Sequence, residues 1–348
     1  MAVVAAAVVA TGAVSACSGA PASHAKGAIT GNLTIFAYSD AFAPAVFNSF
    51  TKQNPSLSVQ QADISSDEEG VAKLKAGFQA DVVNTCAGPV SQEIGNGDLQ
   101  PIDTSRIKDW NDIYPFFKSI AGVDVNGKTY MLPLVGGAYG LAYRPSAFPT
   151  PPTSWKQLFT TDKRITEPDD PLTSIIVAAL ALGYFPPQSM TAAQLANVKQ
   201  LLIAQKKHVV TYYQGDALST LWADNEVDIT PIDITLVDQL HGKNVAFAPM
   251  NPPLAWTCGY SIGKHAQNLD AVYAYLNYAL SPLVQDAQAT SFSYLVSNKM
   301  SAAKLSAAVL AKTGQNNVGK YHTAATFGTP SNIATWTQLW QDVKAAGS

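Results

Sequence analysis

The sequence predicts an α/β fold in two lobes, and three observations carry that prediction. Short β-like runs alternate with stretches of helical apolar spacing along most of the chain, the pattern of parallel sheets flanked by helices. More than 300 of the 348 residues remain after an apolar leader, too many for one compact core. Apolar residues make up 47% of the chain and charged ones 14%, which supplies sizeable cores and argues against disorder.

The leader comes first. Residues ahead of Cys17 are almost all Ala and Val without a charge, and the first cation is Lys26. The run is shorter than the roughly 20 apolar residues of a membrane-spanning helix and has the length of the apolar core of a secretory signal. Val14-Ser15-Ala16-Cys17 resembles the bacterial lipobox, in which the signal is cut before Cys and the thiol carries a lipid. The resemblance implies a signal and anchor over 1–17, with Cys17 as the only attachment to a membrane. The usual Lys/Arg-rich leading segment is missing, which points to a start further upstream. Residues 18–31 lack large apolar groups and read as a flexible tether.

Beyond the tether, "LTIFA" (33–37), "LSVQQA" (57–62), "ADVVN" (80–84), "VDIT" (227–230), "VAFAPM" (245–250) and "GYSIG" (259–263) read as strands. Helices are expected over 42–53, 67–77, 89–96, 172–183, 191–206, 215–224, 233–241 and 268–281, several opened by Asp, Ser or Thr. Tyr212 and Tyr213 close a Val-Val-Thr run and read as a packed strand end. Ligands of such sheets collect outside the strand carboxyl ends. That directs attention to "YSDAF" after the first strand, "TCAG" after the third and "WTCG" just ahead of the sixth.

Several chemistries find no support. Net charge is −3 with no basic block, which disfavours nucleic acid. None of the five histidines sits in a motif with Ser or Cys, and GxGxxG, GxxxxGKS, CxxC and HExxH are all missing; the one GxSxG match, "GYSIG" (259–263), reads as a strand and not as the strand-to-helix elbow of a nucleophile. No catalytic group, metal or cofactor is therefore expected. Cys86 and Cys258 stand 172 positions apart and are open to three readings: buried inert thiols, a disulfide in an oxidising compartment, or ligand contacts.

The order of "GNLTIFAYSDAFAPAVFNSFTKQNP", "ADVVNTCAGPVSQEIGNGDLQPIDTSRIKDWNDI", "NGKTYMLPLVGGAYGLAYRPSAF", "TSWKQLF", "LWADNEVDI" and "AWTCGYSIGKHAQN" resembles the extracytoplasmic solute-binding proteins of ABC importers, closest to the spermidine/putrescine branch. The likeness runs from about residue 32 to the end. It implies a type II periplasmic-binding-protein fold, two α/β lobes joined by hinge segments with the ligand cleft between them. Lobe 1 would hold 32–134 plus 257–311, and lobe 2 135–256 plus 312–348. "YMLPLVGGAYGLAYR" would contain the first crossing, with Gly136, Gly137 and Gly140 serving either hinge rotation or close packing. The implied partners are a small solute and membrane permease subunits, and the implied state is a monomer.

By local alignment with the family's motifs, Tyr38, Ser39, Asp40 and Phe42 form the rim after the first strand, and Thr85 supplies a small hydroxyl with Ala87 where a tyrosine stands in the family. Asp170 falls on an amine-binding aspartate, though it also reads as a helix N-cap ahead of Pro171. Thr173 and Cys258 replace family carboxylates, Trp256 keeps the tryptophan, Tyr294 matches a tyrosine facing the cleft, and Pro231 stands in for another tryptophan with Asp233 close behind. A polyamine needs carboxylates for its ammonium groups and aromatic faces for its stem. Losing two carboxylates costs a multiply charged amine several kcal/mol, about 10² to 10⁴ in affinity. The expected guest is therefore a polyamine or a smaller, amine-like compound. A non-amine solute such as an aminophosphonate, amino acid or sugar is the alternative, and a secreted enzyme using Cys86 or Cys258 as nucleophile is the rival from another class.

Overall fold

The computed structural model of the protein describes residues 29–215, 217–240 and 244–347, with the side chain of His322 left aside. The expected anchor at Cys17, the signal over 1–17 and all of the tether but its last three residues lie outside the described residues. The last tether residue, Gly31, already opens the first strand.

Eight main strands build one sheet: β1 (Gly31–Ala37), β2 (Leu57–Asp63), β3 (Val82–Cys86), β4 (Leu132–Tyr143), β5 (Ile165–Pro168), β6 (Val209–Tyr213), β7 (Ile229–Asp233) and β8 (Ala246–Gly263). Their order across the sheet is β2-β1-β3-β8-β4-β7-β5-β6. The principal helices are α1 (Pro44–Gln53), α2 (Asp67–Lys75), α3 (Val90–Asn96), α4 (Pro171–Ala181), α5 (Ala192–Gln205), α6 (Ala217–Ala223), α7 (Leu269–Leu280), α8 (Pro282–Phe292) and α9 (Ile333–Ala345).

The sheet is parallel only at its two ends. β2, β1 and β3 run parallel, as do β7, β5 and β6. Between these triplets β8 and β4 lie antiparallel to each other and to their outer neighbours β3 and β7. This corrects the expectation of parallel sheets. The long strand β4 carries no period-2 alternation to mark it, because almost every residue in it is buried. Two expected strands, 245–250 and 259–263, prove to be the ends of β8. Prolines at 249, 252 and 253 offer no N–H to the ladder, the register slips between Pro249 and Leu254, and pairing then resumes. The helix expected over 233–241 is instead the end of β7 followed by a 3₁₀ turn, Ile234–Leu240.

Two main apolar clusters flank this central pair. One gathers Leu33, Phe36, Val82, Leu132 and Tyr275; the other gathers Leu141, Trp155, Ile175, Val198 and Trp340. β4 passes from the first to the second between Ala138 and Leu141, and β8 returns between Leu254 and Ala255. The glycines of β4 are required by packing here. A Cβ on Gly140 would lie 2.5 Å from the Ala248 carbonyl oxygen and 2.6 Å from the Phe247 ring, so only hydrogen fits.

Candidate functional site

A cavity of about 490 Å³ opens beside the first cluster, with Phe327 of the second also on its lining. Its first wall starts where β1 ends. The chain turns into the 3₁₀ segment Ser39–Phe42, which brings Tyr38, Ser39 and Asp40 to the rim. The Tyr38 hydroxyl donates to Asp67 at 2.6 Å. Asp67 is held in the first turn of α2, which begins cleanly because the Ser66 side chain caps the Glu69 N–H at 3.2 Å. Tyr294 closes the same wall, its hydroxyl donating to Asp40 at 3.0 Å.

β7 and β8 supply another part of the lining. Trp256 meets Tyr294 edge-on, with ring centroids 5.5 Å apart at 87°. The indole edge lies over Gly137, where a Cβ would stand 2.4 Å from Nε1. Asp233, the last residue of β7, reaches the same spot, with Oδ1 2.9 Å from that Cβ position and accepting the Thr235 N–H at 2.9 Å. Cys86 and Cys258, opposite one another in the β3–β8 ladder, are joined in a disulfide and both line the cavity.

Three carboxylates, Asp40, Asp67 and Asp233, line this space, and no Lys, Arg or His does among the described residues. Burial pushes the Asp233 carboxyl up to about 6, against the lowering effect of Thr235 and the nearby Trp256 N–H. Burial raises Asp67 as well, with the Tyr38 hydroxyl opposing it. The phenols of Tyr38 and Tyr294 are pushed far above their ordinary value, chiefly by burial, with the adjoining carboxylates adding to it. Behind the floor, burial holds Glu93 at about 7 although Thr85 donates to it at 2.6 Å. An anionic guest would meet three carboxylates and no cation among the described residues; a cation on an apolar stem would meet carboxylates and ring faces.

Of the residues singled out in the sequence, Tyr38, Ser39, Asp40, Trp256, Cys258 and Tyr294 line the cavity. Four do not. Phe42 turns into the core, edge-on to Phe47 with ring centroids 5.5 Å apart. Thr85 is 1% exposed and spends its hydroxyl on Glu93. Asp170 is the N-cap of α4, with its oxygens accepting from Leu172 N at 3.2 Å and Thr173 N at 2.9 Å. Thr173 is buried in the first turn of that helix. Cys258 is present as half of a disulfide, so it brings neither a free thiol nor a charge.

Sequence reasoning missed Asp67 and left Asp233 unassigned, along with Asn84 and Gln288, which also line the cavity. With Asp67 and Asp233 beside Asp40 the cavity is lined by three carboxylates, although Thr173 and Cys258 stand where the resemblance expects carboxylates. A signal existed for Asp67, since "SSDEEG" is an N-cap followed by an acidic first turn, but that pattern is also an ordinary helix start.

The sequence profile of the bacterial extracellular solute-binding protein family matches residues 30–286 of this chain. Among curated proteins, the putrescine-binding periplasmic protein SpuD of Pseudomonas aeruginosa is 24% identical over 288 residues, 76% of this chain and 78% of that protein. Among solved structures, the spermidine/putrescine ABC transporter substrate-binding protein PotD of Streptococcus pneumoniae superposes with a TM-score of 0.78 at 20% identity, covering 91% of this chain and 98% of that one. The PBP MotA of A. tumefaciens B6, solved in complex with glucopine, gives a TM-score of 0.69 at 18% identity over 90% of this chain and 100% of that one. The fold is that of the periplasmic binding proteins.

Proposed function

We propose that this chain, which belongs to the bacterial extracellular solute-binding protein family, captures a small aliphatic amine, a polyamine or a shorter relative, and hands it to the permease of an ABC importer. One observation carries the reading: an aromatic-walled cavity of about 490 Å³ is lined by three carboxylates and no cation among the described residues. Charge-assisted hydrogen bonds contribute about 1.5 to 3 kcal/mol each, and ring faces add about 0.5 to 2 kcal/mol per cation. Since one solved relative holds glucopine and another protein is named for putrescine, the guest is read from this chain's own walls.

Capture would proceed by closure of the proposed lobes, 32–134 plus 257–311 against 135–256 plus 312–348. β4 and β8, the strands shared by both apolar clusters, are the natural bending segments. Cys17 would tether the protein, as a monomer, to the membrane at an extracytoplasmic face, and Cys17→Ser should then release it into the soluble fraction. The rival cysteine-dependent chemistry is disfavoured, because a disulfide leaves neither Cys86 nor Cys258 as a thiolate.

The decisive experiment is a thermal-shift screen of the purified protein against putrescine, spermidine, 4-aminobutyrate, an aminophosphonate and glucose. A ligand at a hundred times its Kd stabilises the folded state by about 2.7 kcal/mol. Stabilisation by the amines is expected. Stabilisation by the phosphonate or the sugar alone would overturn the amine reading.

A further inference from the structure

We propose that Asp233 is the positioning and charge-selecting residue of the β7–β8 part of the lining: a cationic guest and the Trp256 N–H share its one carboxylate, so that binding an amine expels a proton from the cleft. The inference rests on the amine reading above. Its basis is the convergence of two side chains over one glycine. With no side chain on Gly137, the indole edge and the carboxylate both fill the space a Cβ would need, at 2.4 Å for Nε1 and 2.9 Å for Oδ1. The Trp256 N–H faces Asp233 closely enough to favour the charged form, yet it falls short of hydrogen-bond geometry and is buried without a partner. An orphaned buried donor costs about 1 to 3 kcal/mol. A fully ionised, well-ordered Asp233 removes that cost.

Asp233 stands at the end of β7 and lines the same cavity as Asp40 and Asp67. The charged and titratable groups that face it are few. Tyr139 of β4 and Tyr294 beyond α8 both feel its charge, Asp170 and Tyr213 feel or act on Tyr139 from further away, and Thr235 donates to it. Among the described residues none of these is a cation, so an incoming ammonium would bring this carboxylate a positive charge that they do not supply.

The sign follows from linkage. In the empty cleft burial keeps the proton on up to about 6; an adjacent cation lowers that value, so the complex holds fewer protons than the free protein. Amine affinity therefore rises with pH through this window and levels off above it. With a midpoint near 6, roughly a tenth of the sites are ionised one unit lower, so binding at about pH 5 should be up to about tenfold weaker than at about pH 7.5.

The test is titration calorimetry with putrescine on the full chain at those two pH values, and near pH 6 in two buffers of different ionisation heat. Expected are the tenfold gain, proton release on binding near pH 6, loss of most of that release in Asp233→Asn, and its recovery in Asp233→Glu. Should Asp233→Asn fail to fold, the Trp256 indole N–H resonance of the wild-type protein, assigned by its loss in Trp256→Phe, supplies the answer. It should titrate near pH 6 without ligand. Putrescine binding that releases no proton, that keeps its release in Asp233→Asn, or that leaves a pH-invariant Trp256 resonance overturns the inference while sparing the amine reading. Failure of every amine to bind at either pH overturns both.

Discussion

The hydroxyl of Tyr38 donates to the carboxylate of Asp67 at 2.6 Å, tying the turn after β1 to the first turn of α2. The bond does two things: it fixes the aromatic face at the rim and it favours the ionised form of a carboxyl whose proton affinity burial raises. Tyr38→Phe keeps the ring and removes the donor. Amine affinity should fall about ten- to a hundredfold at neutral pH, the scale of one hydrogen bond to a charged group. Calorimetry with putrescine checks it, and an unchanged Kd would take Asp67 out of the site.

Trp256 lines the cavity and meets Tyr294 in an edge-to-face pair. Trp256→Ala should weaken amine binding at least tenfold, the cation–ring term and the lost stem contact together. The cavity is already open at this point, so the cooperative melt should survive with a modestly lower Tm. An unchanged affinity with a collapsed melt would make Trp256 a packing residue only.

The Cys86–Cys258 disulfide joins neighbouring strands across 172 positions of sequence. Replacing both cysteines by serine should cost about 2 to 5 kcal/mol of stability, seen as a lower denaturation midpoint. Without a reductant, neither residue should react with iodoacetamide in the folded protein. Alkylation of Cys258 in the native state would contradict the bond.

Glu167 on β5 is 1% exposed with neither carboxyl oxygen hydrogen-bonded; Gln205 and Ser174 only face it. Burial holds its proton up to about 7. Because the unfolded chain releases that proton near the ordinary carboxylate value, the folded state binds more protons between the two. The stabilisation is then complete at low pH and is lost as pH rises through about 7. Glu167→Gln removes the titrating group and should raise Tm more at about pH 8 than at about pH 5. An equal gain at both values would exclude proton linkage.

Asp170 uses its oxygens to cap α4. Asn caps almost equally well, so Asp170→Asn should leave both Tm and putrescine affinity nearly unchanged. A selective loss for cationic ligands would place Asp170 at the guest after all.

Most helix starts were legible because local chemistry fixes them. Thr191 and Gln194 form a capping box at the head of α5, Ser66 caps α2, and Asp170 with Pro171 opens α4. β4 was not legible as a strand, since burial on both faces erases the alternation that marks one. The disulfide was one of three open readings, because spacing in sequence says nothing of distance across a sheet. The site was half legible. The rim residues after β1 and Trp256 with Tyr294 follow strand ends and family order, whereas Asp67 and Asp233 enter the cavity from segments whose local patterns are ordinary ones.

By itself the sequence determined many of the strands and helices, because those outcomes depend on periodicity and caps a few residues apart. Tertiary structure alone decided which carboxylates face the cavity. Asp170 is consumed by a helix end, while Asp233 meets Trp256 over a glycine 96 positions before it. Charge in a cleft is a property of what converges there, and convergence is set by packing across the sheet, where sequence distance carries no information.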